Sequence, residues 1–414
     1  MSTFKYKKKT LYCEKVNLQK LAEKNNSSFY VYSKQEIITN YKNLAKAFAS
    51  VNPLICFSVK SNSNLSVLKT LKEQGSGFDI VSGGELFRTQ KIKANPQTIV
   101  YAGVGKRDDE IEYALKSNIL MFNCESINEI RKINFIAKEL NKTAKIAVRI
   151  NPDVDAQTHQ YITTGKKTTK FGIAFFELEK KLKELKAMQN INFVGIHIHI
   201  GSQITQPSPY KEAITKTLKF ISKLQDAGFP IEYFNIGGGY GIRYGKETIT
   251  PIEKFGSTLV PLLKKSGLKI ILEPGRFIVG NAGALITKVL YNKKNLGKNF
   301  MITEAGMHNL IRPSLYQAYH EIIPLHTKNK RTKKVDVVGP ICESGDFFAK
   351  DRKIEAVQEG DYLAILSAGA YGFTMSSRYN SHPFISEIMI DKDQSYIIRK
   401  PEKYSDLIKN EVIL

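Results

Sequence analysis

Lys60 closes the apolar run Leu54-Ile55-Cys56-Phe57-Ser58-Val59, and His197 to Gln203, Gly237 to Gly239 and Glu273 to Arg276 each follow or end an apolar run of their own. A lysine at the end of a buried strand loses hydration, which lowers its pKa from about 10.4 and makes the amine nucleophilic. In Gly195-Ile196-His197-Ile198-His199-Ile200-Gly201-Ser202-Gln203 the two histidines alternate with isoleucines and so share one face of a strand. That pattern suits a metal pair, satisfied core imidazoles, or one ring laid over a planar ligand. No acidic residue or third imidazole stands at ligand spacing, which argues against a metal. Ser202 and Gln203 are placed to donate hydrogen bonds from the loop that follows.

Asn235-Ile236-Gly237-Gly238-Gly239-Tyr240-Gly241 carries glycines directly after a strand. They make either a tight connection or a turn whose amides meet an anion without side-chain interference. Ile271-Leu272-Glu273-Pro274-Gly275-Arg276 joins a carboxylate, a rigid turn and a guanidinium. This is a structural pair, or a carboxylate that keeps a pyridine nitrogen protonated and the ring an electron sink. Further on, Arg312-Pro313-Ser314-Leu315-Tyr316 presents an arginine suited to a carboxylate together with a phenol. Cys342-Glu343-Ser344-Gly345-Asp346 sets a thiol among polar residues, where it could donate a proton, and Gly369-Ala370-Tyr371-Gly372 adds a phenol. A lysine, an imidazole, a triple glycine and a Glu/Arg pair at strand ends point to carbonyl chemistry on a phosphorylated cofactor.

The elements that must position these groups follow from periodicity. Eight short apolar, β-branched runs, Ile55-Val59, Phe78-Val81, Thr98-Ala102, Ile119-Phe122, Lys145-Ile150, Val194-Ile200, Tyr233-Ile236 and Lys269-Leu272, predict strands. Amphipathic segments between them, among them Asn64 to Gln74, Gly84 to Lys91, Ile127 to Leu140, Leu178 to Met188 and Tyr210 to Ala227, predict helices. Alternating β and α elements with eight strands predict a (β/α)8 barrel, whose post-strand loops build one site at one face, with the phosphate habitually after strands seven and eight. After about Ala282 strand-like runs follow without long helical spacers: Leu285-Leu290, Lys334-Val338, Tyr362-Ile365, Ile385-Ile390 and Ser395-Ile398. They predict a second, mainly β domain, with Thr327 to Lys333 as an exposed loop. The expected division is 30–281 for the barrel, with 1–29 and 282–414 forming the β domain.

A chain of 414 residues, 42% apolar and 24% charged, is long enough for two globular cores. Its formal charge of +23 raises the question of nucleic acid or an anionic membrane surface. The lysines are spread over most of the chain, with local concentrations at Lys5 to Lys9, Lys166 to Lys170 and Lys328 to Lys334, so the reading is a solvated basic surface that steers small anions, with no nucleic-acid or membrane partner. Cys13, Cys56, Cys124 and Cys342 lie far apart, without the paired spacings of a zinc or redox site, which fits a reduced cytoplasmic protein. The basic start lacks the apolar stretch of a signal peptide, and no run approaches membrane-spanning length.

In order along the chain, Phe57-Ser58-Val59-Lys60, His199-Ile200-Gly201-Ser202-Gln203, Glu273-Pro274-Gly275-Arg276, Cys342-Glu343-Ser344-Gly345-Asp346 and Gly369-Ala370-Tyr371-Gly372-Phe373 resemble the fold-type III pyridoxal-phosphate decarboxylases. The resemblance runs from about Phe29 to Pro383 and is nearest to the branch acting on meso-2,6-diaminopimelate. It implies an α/β fold of alanine-racemase type, a barrel with a mainly β domain, and pyridoxal 5'-phosphate as cofactor. It implies that Lys60 carries the cofactor covalently, that His199 stacks on its ring and that Glu273 pairs with the ring nitrogen. Ser202, Gly238, Gly239, Gly275 and Arg276 then bind the phosphate, Arg276, Arg312, Tyr316 and Glu343 hold the substrate, and Tyr371 touches cofactor or substrate. Cys342 is implied as the proton donor, entering the site from the partner subunit of a homodimer. The implied reaction yields L-lysine and carbon dioxide, the last step of lysine biosynthesis.

Two positions depart from the family pattern. Asn235 stands where many relatives have Asp, and His382 where an arginine is common, and both are expected to bear on local loop packing. A decarboxylase of ornithine, arginine or a carboxylated polyamine would keep Lys60, His199 and Glu273 but change the distal-recognition residues. A non-catalytic relative would need neither Lys60 nor Cys342.

Overall fold

The computed structural model describes residues 3–155, 170–328 and 331–414. The chain divides into two compact units, one of Asn40–Ile242 and Thr248–Phe277, the other of Met1–Thr39, Arg243–Glu247 and Ile278–Leu414.

The first unit is a closed parallel barrel. Its strands are β1 (Leu54–Ser58), β2 (Gly77–Ile80), β3 (Ile99–Tyr101), β4 (Met121–Cys124), β5 (Ala144–Arg149), β6 (Ile191–His197), β7 (Tyr233–Asn235) and β8 (Lys269–Leu272). They pair in sequence order, β8 closing on β1, and each coincides with one of the eight predicted runs. Parallel strands covered by helices are buried on both faces, which is why these segments are nearly continuous in apolar residues. Cys56, Val100, Met121, Ala147 and Ile271 pack together in the core. The register sets His197 opposite Asn235 and Asn235 opposite Ile271, so three neighbouring strands end level with one another.

Helices return the chain between strands, and their starts are encoded locally. Ser82 and Ser126 cap Gly83–Lys91 and Ile127–Glu139 by accepting the N–H of Glu85 and Glu129, each at 3.2 Å. The two glutamates reach back to the N–H of Val81 and Glu125, each at 2.8 Å, a variant of the capping box. Two helices absent from the sequence reading, Asp108–Lys116 and Ile252–Lys265, complete the pattern. Lys106, before the first of them, is buried and donates to the carbonyls of Gly103 and Asn123 and to Glu129, so its three N–H bonds all find acceptors.

The second unit is mainly β. Its large sheet runs Phe347–Glu355, Thr332–Val338, Lys298–Thr303, Gly283–Asn295, Phe29–Ser33, Ser386–Asp391, Gln394–Arg399, with Tyr362–Ile365 and Ile322–Pro324 attached. Phe29, Val31, Ala284, Ile286, Ile388 and Ile390 form its apolar face. The expected barrel start at residue 30 therefore falls inside Phe29–Ser33, which pairs antiparallel with Gly283–Asn295 and parallel with Ser386–Asp391. A strand continues the barrel only if its partner is a barrel strand, and this one's partners are not. Of the predicted loop Thr327 to Lys333, Thr332 and Lys333 begin a strand, and Asn329 and Lys330 lie outside the described residues. So do residues 166–169 of the lysine concentration at Lys166 to Lys170.

Candidate active site

The barrel brings Lys60, His199, Ser202, Gly237 to Gly239, Glu273 and Arg276 to the ends of β1, β6, β7 and β8. Lys60 sits on a single 3-10 turn, Val59–Ser61, directly after β1. Its Nζ lies 2.7 Å from Oδ2 of Asp79, a fully buried carboxylate on β2. Ser58 Oγ also lies 2.7 Å from that oxygen. Burial and the nearby Glu273 push the Asp79 carboxyl up, while Lys60 and Ser58 pull it back. Asp79 escaped the sequence reading, although a charge inside the run Phe78-Asp79-Ile80-Val81 is itself a signal, since buried charges need partners.

Glu273 follows β8 and is 3% exposed. Its Oε1 accepts the side-chain amides of Asn123 at 2.9 Å and Asn235 at 2.6 Å, and Oε2 lies 3.1 Å from His197 Nε2. Burial alone would raise its pKa, but His197, through charge and hydrogen bond, with Lys60, outweighs that and holds the carboxyl well below the usual range. Asn235, expected to matter for loop packing, is thus in direct contact with the proposed ring-nitrogen partner. His382, the other departure, stacks on His308 with ring centroids 4.6 Å apart.

The two histidines separate in role because β6 ends at His197. His197 remains in the strand and binds Glu273. His199, two residues beyond, accepts the Gly238 N–H on Nδ1 at 3.2 Å, and its carbonyl accepts Arg149 Nη2 at 3.3 Å. Burial, then the charges of Arg149 and Lys60, lower its pKa well below the ordinary imidazole value, so the ring is neutral, with its proton on Nε2. Arg149 itself forms a buried ion pair with Glu125 at 2.7 Å, a second partnership the sequence reading did not identify.

The glycine turn is required by its neighbours. Gly237 and Gly239 have φ of 71° and 106°. A Cβ at Gly238 would lie 1.8 Å from the Glu273 carbonyl, and one at Gly239 2.2 Å from the Gly201 carbonyl. The Gly237 and Gly238 amides are taken by Asn235 Oδ1 and His199 Nδ1. Arg276 Nη2 donates to Ser202 Oγ at 3.1 Å, and a Cβ at Gly275 would lie 3.0 Å from the Ser61 side chain, a tight contact.

The remaining predicted residues belong to the β unit and are held by contacts of their own. Arg312 opens the helix Arg312–Tyr316, and its guanidinium lies 2.7 Å from His320 Nε2 and over the Tyr244 ring at 4.6 Å. His320 Nδ1 lies 2.7 Å from the Leu366 carbonyl, which fixes the tautomer with Nδ1 donating and Nε2 accepting. Cys342 and Glu343 are exposed. The Cys342 N–H donates to Asn380 Oδ1 at 3.0 Å, and Tyr379 hydrogen-bonds Glu343. Asp346, read with them as part of one motif, is buried and accepts the N–H of Met307 and Ile341 at 2.6 and 2.7 Å, shaping the loop. Tyr371 is held at a φ of 55°, next to Gly372, where a Cβ would meet the Ala368 carbonyl at 2.4 Å.

A parallel barrel presenting a lysine, a buried anionic glutamate, a neutral imidazole and an Arg/Ser/Gly cradle at one set of strand ends defines a pyridoxal-dependent decarboxylase. The family model "Pyridoxal-dependent decarboxylase, pyridoxal binding domain" matches residues 34–280. Over its length the chain is 48% identical to the diaminopimelate decarboxylase of Aquifex aeolicus, covering 98% of this chain and 96% of that protein. It is 44% identical to that of Neisseria meningitidis serogroup B, over 97% of each. The crystal structure of diaminopimelate decarboxylase from Helicobacter pylori complexed with L-lysine superposes with a TM-score of 0.92 at 41% identity, covering 95% of this chain and 99% of that one. The chain belongs to the diaminopimelate decarboxylase family. Its residues fit pyridoxal phosphate: Lys60 would supply the amine, Glu273 an ionised carboxylate, and Ser202 with Arg276 a donor pair for an anion.

Proposed function

We propose that the chain decarboxylates meso-2,6-diaminopimelate to L-lysine and carbon dioxide with pyridoxal phosphate. The observation that carries this reading is the pairing of Lys60 with an ionised, triply hydrogen-bonded Glu273 in one barrel mouth. Bound there, the cofactor supplies a conjugated ring that accepts the electrons of the breaking bond to the carboxylate.

The protein's own groups do the rest. Lys60 would hold the cofactor covalently, and Asp79, 2.7 Å from its Nζ, is placed to hold the ammonium when the lysine is released. Glu273 would keep a proton on the ring nitrogen, and neutral His199 would face the ring without adding charge. Ser202, Gly239, Gly275 and Arg276 would bind the phosphate, and Gly238, whose N–H goes to His199 Nδ1, would line the cofactor site. Arg276, Arg312, Tyr316, Glu343 and Tyr371 hold the two ends of the zwitterionic substrate, arginine for carboxylate and Glu343 for ammonium. His320, accepting from Arg312, aims its guanidinium. As carbon dioxide leaves, Cys342 returns a proton to the carbon. We assign Cys342 to the partner subunit's site, and so the enzyme to a homodimer with shared active sites, working in the cytoplasm. Among the described residues no helix is long and apolar enough to cross a membrane.

Mass-spectrometric product analysis with pyridoxal phosphate and meso-diaminopimelate, L-ornithine or L-arginine in parallel tubes tests the reading. Lysine from diaminopimelate alone is expected. Product from another tube overturns the distal-site assignment, and no product in any tube overturns the catalytic reading.

A further inference from the structure

Asn235 occupies a position where both ends of its amide are committed. Its Oδ1 accepts the Gly237 N–H at 2.9 Å, which leaves only Nδ2 to face Glu273 Oε1, 2.6 Å away. Flipping the amide would set N–H against N–H and oxygen against carboxylate. The residue is fully buried at the end of β7, level with His197 on β6. Around Glu273 stand Asn123, Asn235 and His197 in hydrogen-bond contact, with Lys60, His199, Asp79 and Cys56 as the further charged or titratable groups coupled to it.

We infer that Asn235 is a positioning residue: it orients Glu273, excludes a second negative charge from beside it, and ties the glycine turn to the carboxylate assigned to the ring nitrogen. An aspartate at this position would still satisfy the Gly237 N–H with one oxygen. Its other oxygen would fall at hydrogen-bond distance from Glu273 Oε1, and two carboxylates that close cannot both ionise without strong repulsion, so they share a proton. The amide avoids that conflict and replaces it with a donor, leaving Glu273 fully ionised. The inference rests on the proposed role of Glu273, but its electrostatic core can be tested on cofactor-free protein.

The test compares thermal stability of wild type, Asn235→Asp and the double variant Asn235→Asp/Glu273→Gln, without cofactor, from pH 5 to pH 8.5. In Asn235→Asp the carboxylate pair has a folded pKa raised above the unfolded value of about 4. Its stability is therefore retained at low pH and lost as pH rises through the raised value. The expected result is a Tm loss relative to wild type that is larger at pH 8 than at pH 5, and whose dependence on pH shrinks once Glu273 is also neutral, because burial alone then acts on the introduced carboxyl. An equal loss at every pH, or a pH-dependent loss undiminished in the double variant, overturns the inference and leaves Asn235 a packing residue. If Asn235→Asp does not fold at pH 8, its recovery at pH 5 and in the double variant supports the inference, and failure of both overturns it. Neither readout needs turnover, so a wrong substrate assignment would not imitate either outcome.

Discussion

Lys60 and Cys342 divide the proposed chemistry between covalent attachment and protonation, and single substitutions separate the two. Lys60→Ala should leave no cofactor fixed to the protein by borohydride reduction, read by intact mass. Cys342→Ala should retain that attachment and form product more slowly. A Cys342→Ala enzyme with unchanged turnover would remove the thiol from the mechanism. Glu85 makes a different kind of prediction. Burial pushes its carboxyl from 4.5 up to about 7, against the pull of Lys60 and of the Val81 N–H. A carboxyl raised in the folded state keeps its contribution below the unfolded value and loses it as pH climbs through 7. Glu85→Gln should therefore flatten the fall in stability between about pH 4.5 and 7 in denaturant titrations. At this scale the sequence pointed to candidate side chains for the chemistry but not to whom they meet. Asp79, Asn123 and His197 became visible as partners of Lys60 and Glu273 only when β1, β2, β4, β6 and β8 were side by side.

The post-strand turns behave as fitted pieces rather than flexible links. Gly238→Ala would drive a methyl into the Glu273 carbonyl. It should cost about 3 kcal/mol, the upper part of the usual overpacking range, in urea unfolding, and weaken cofactor retention as Glu273 is displaced. All eight barrel strands were legible because strands buried on both faces are apolar runs of limited length, bounded by polar segments. Lys298–Thr303 and Phe347–Glu355 were not legible, since each mixes charged with apolar residues and takes its β conformation from a partner strand. The helices Asp108–Lys116 and Ile252–Lys265 were missed because the first starts from Arg107 rather than from a serine, threonine, asparagine or aspartate cap, and the second carries Pro261 inside.

A homodimer with sites completed across subunits has a consequence that no single-chain property mimics. Mixing Lys60→Ala with Cys342→Ala and allowing subunits to exchange should restore up to about a quarter of wild-type activity. Random pairing makes half the dimers mixed, and each of those has one complete site of two. No recovery, with exchange verified by mass, would place Lys60 and Cys342 in one subunit's site.

What this sequence determined by itself was local: the strand runs, the Ser-x-x-Glu helix starts, and the order of the candidate site residues at the strand ends, all of which depend on nearest neighbours and periodicity. Tertiary structure alone decided that Phe29–Ser33 pairs outside the barrel, that His197 and His199 take different partners, and that Asn235 faces Glu273. Those outcomes depend on where a strand stops and which distant strand lies beside it, and alternation along one segment cannot encode either.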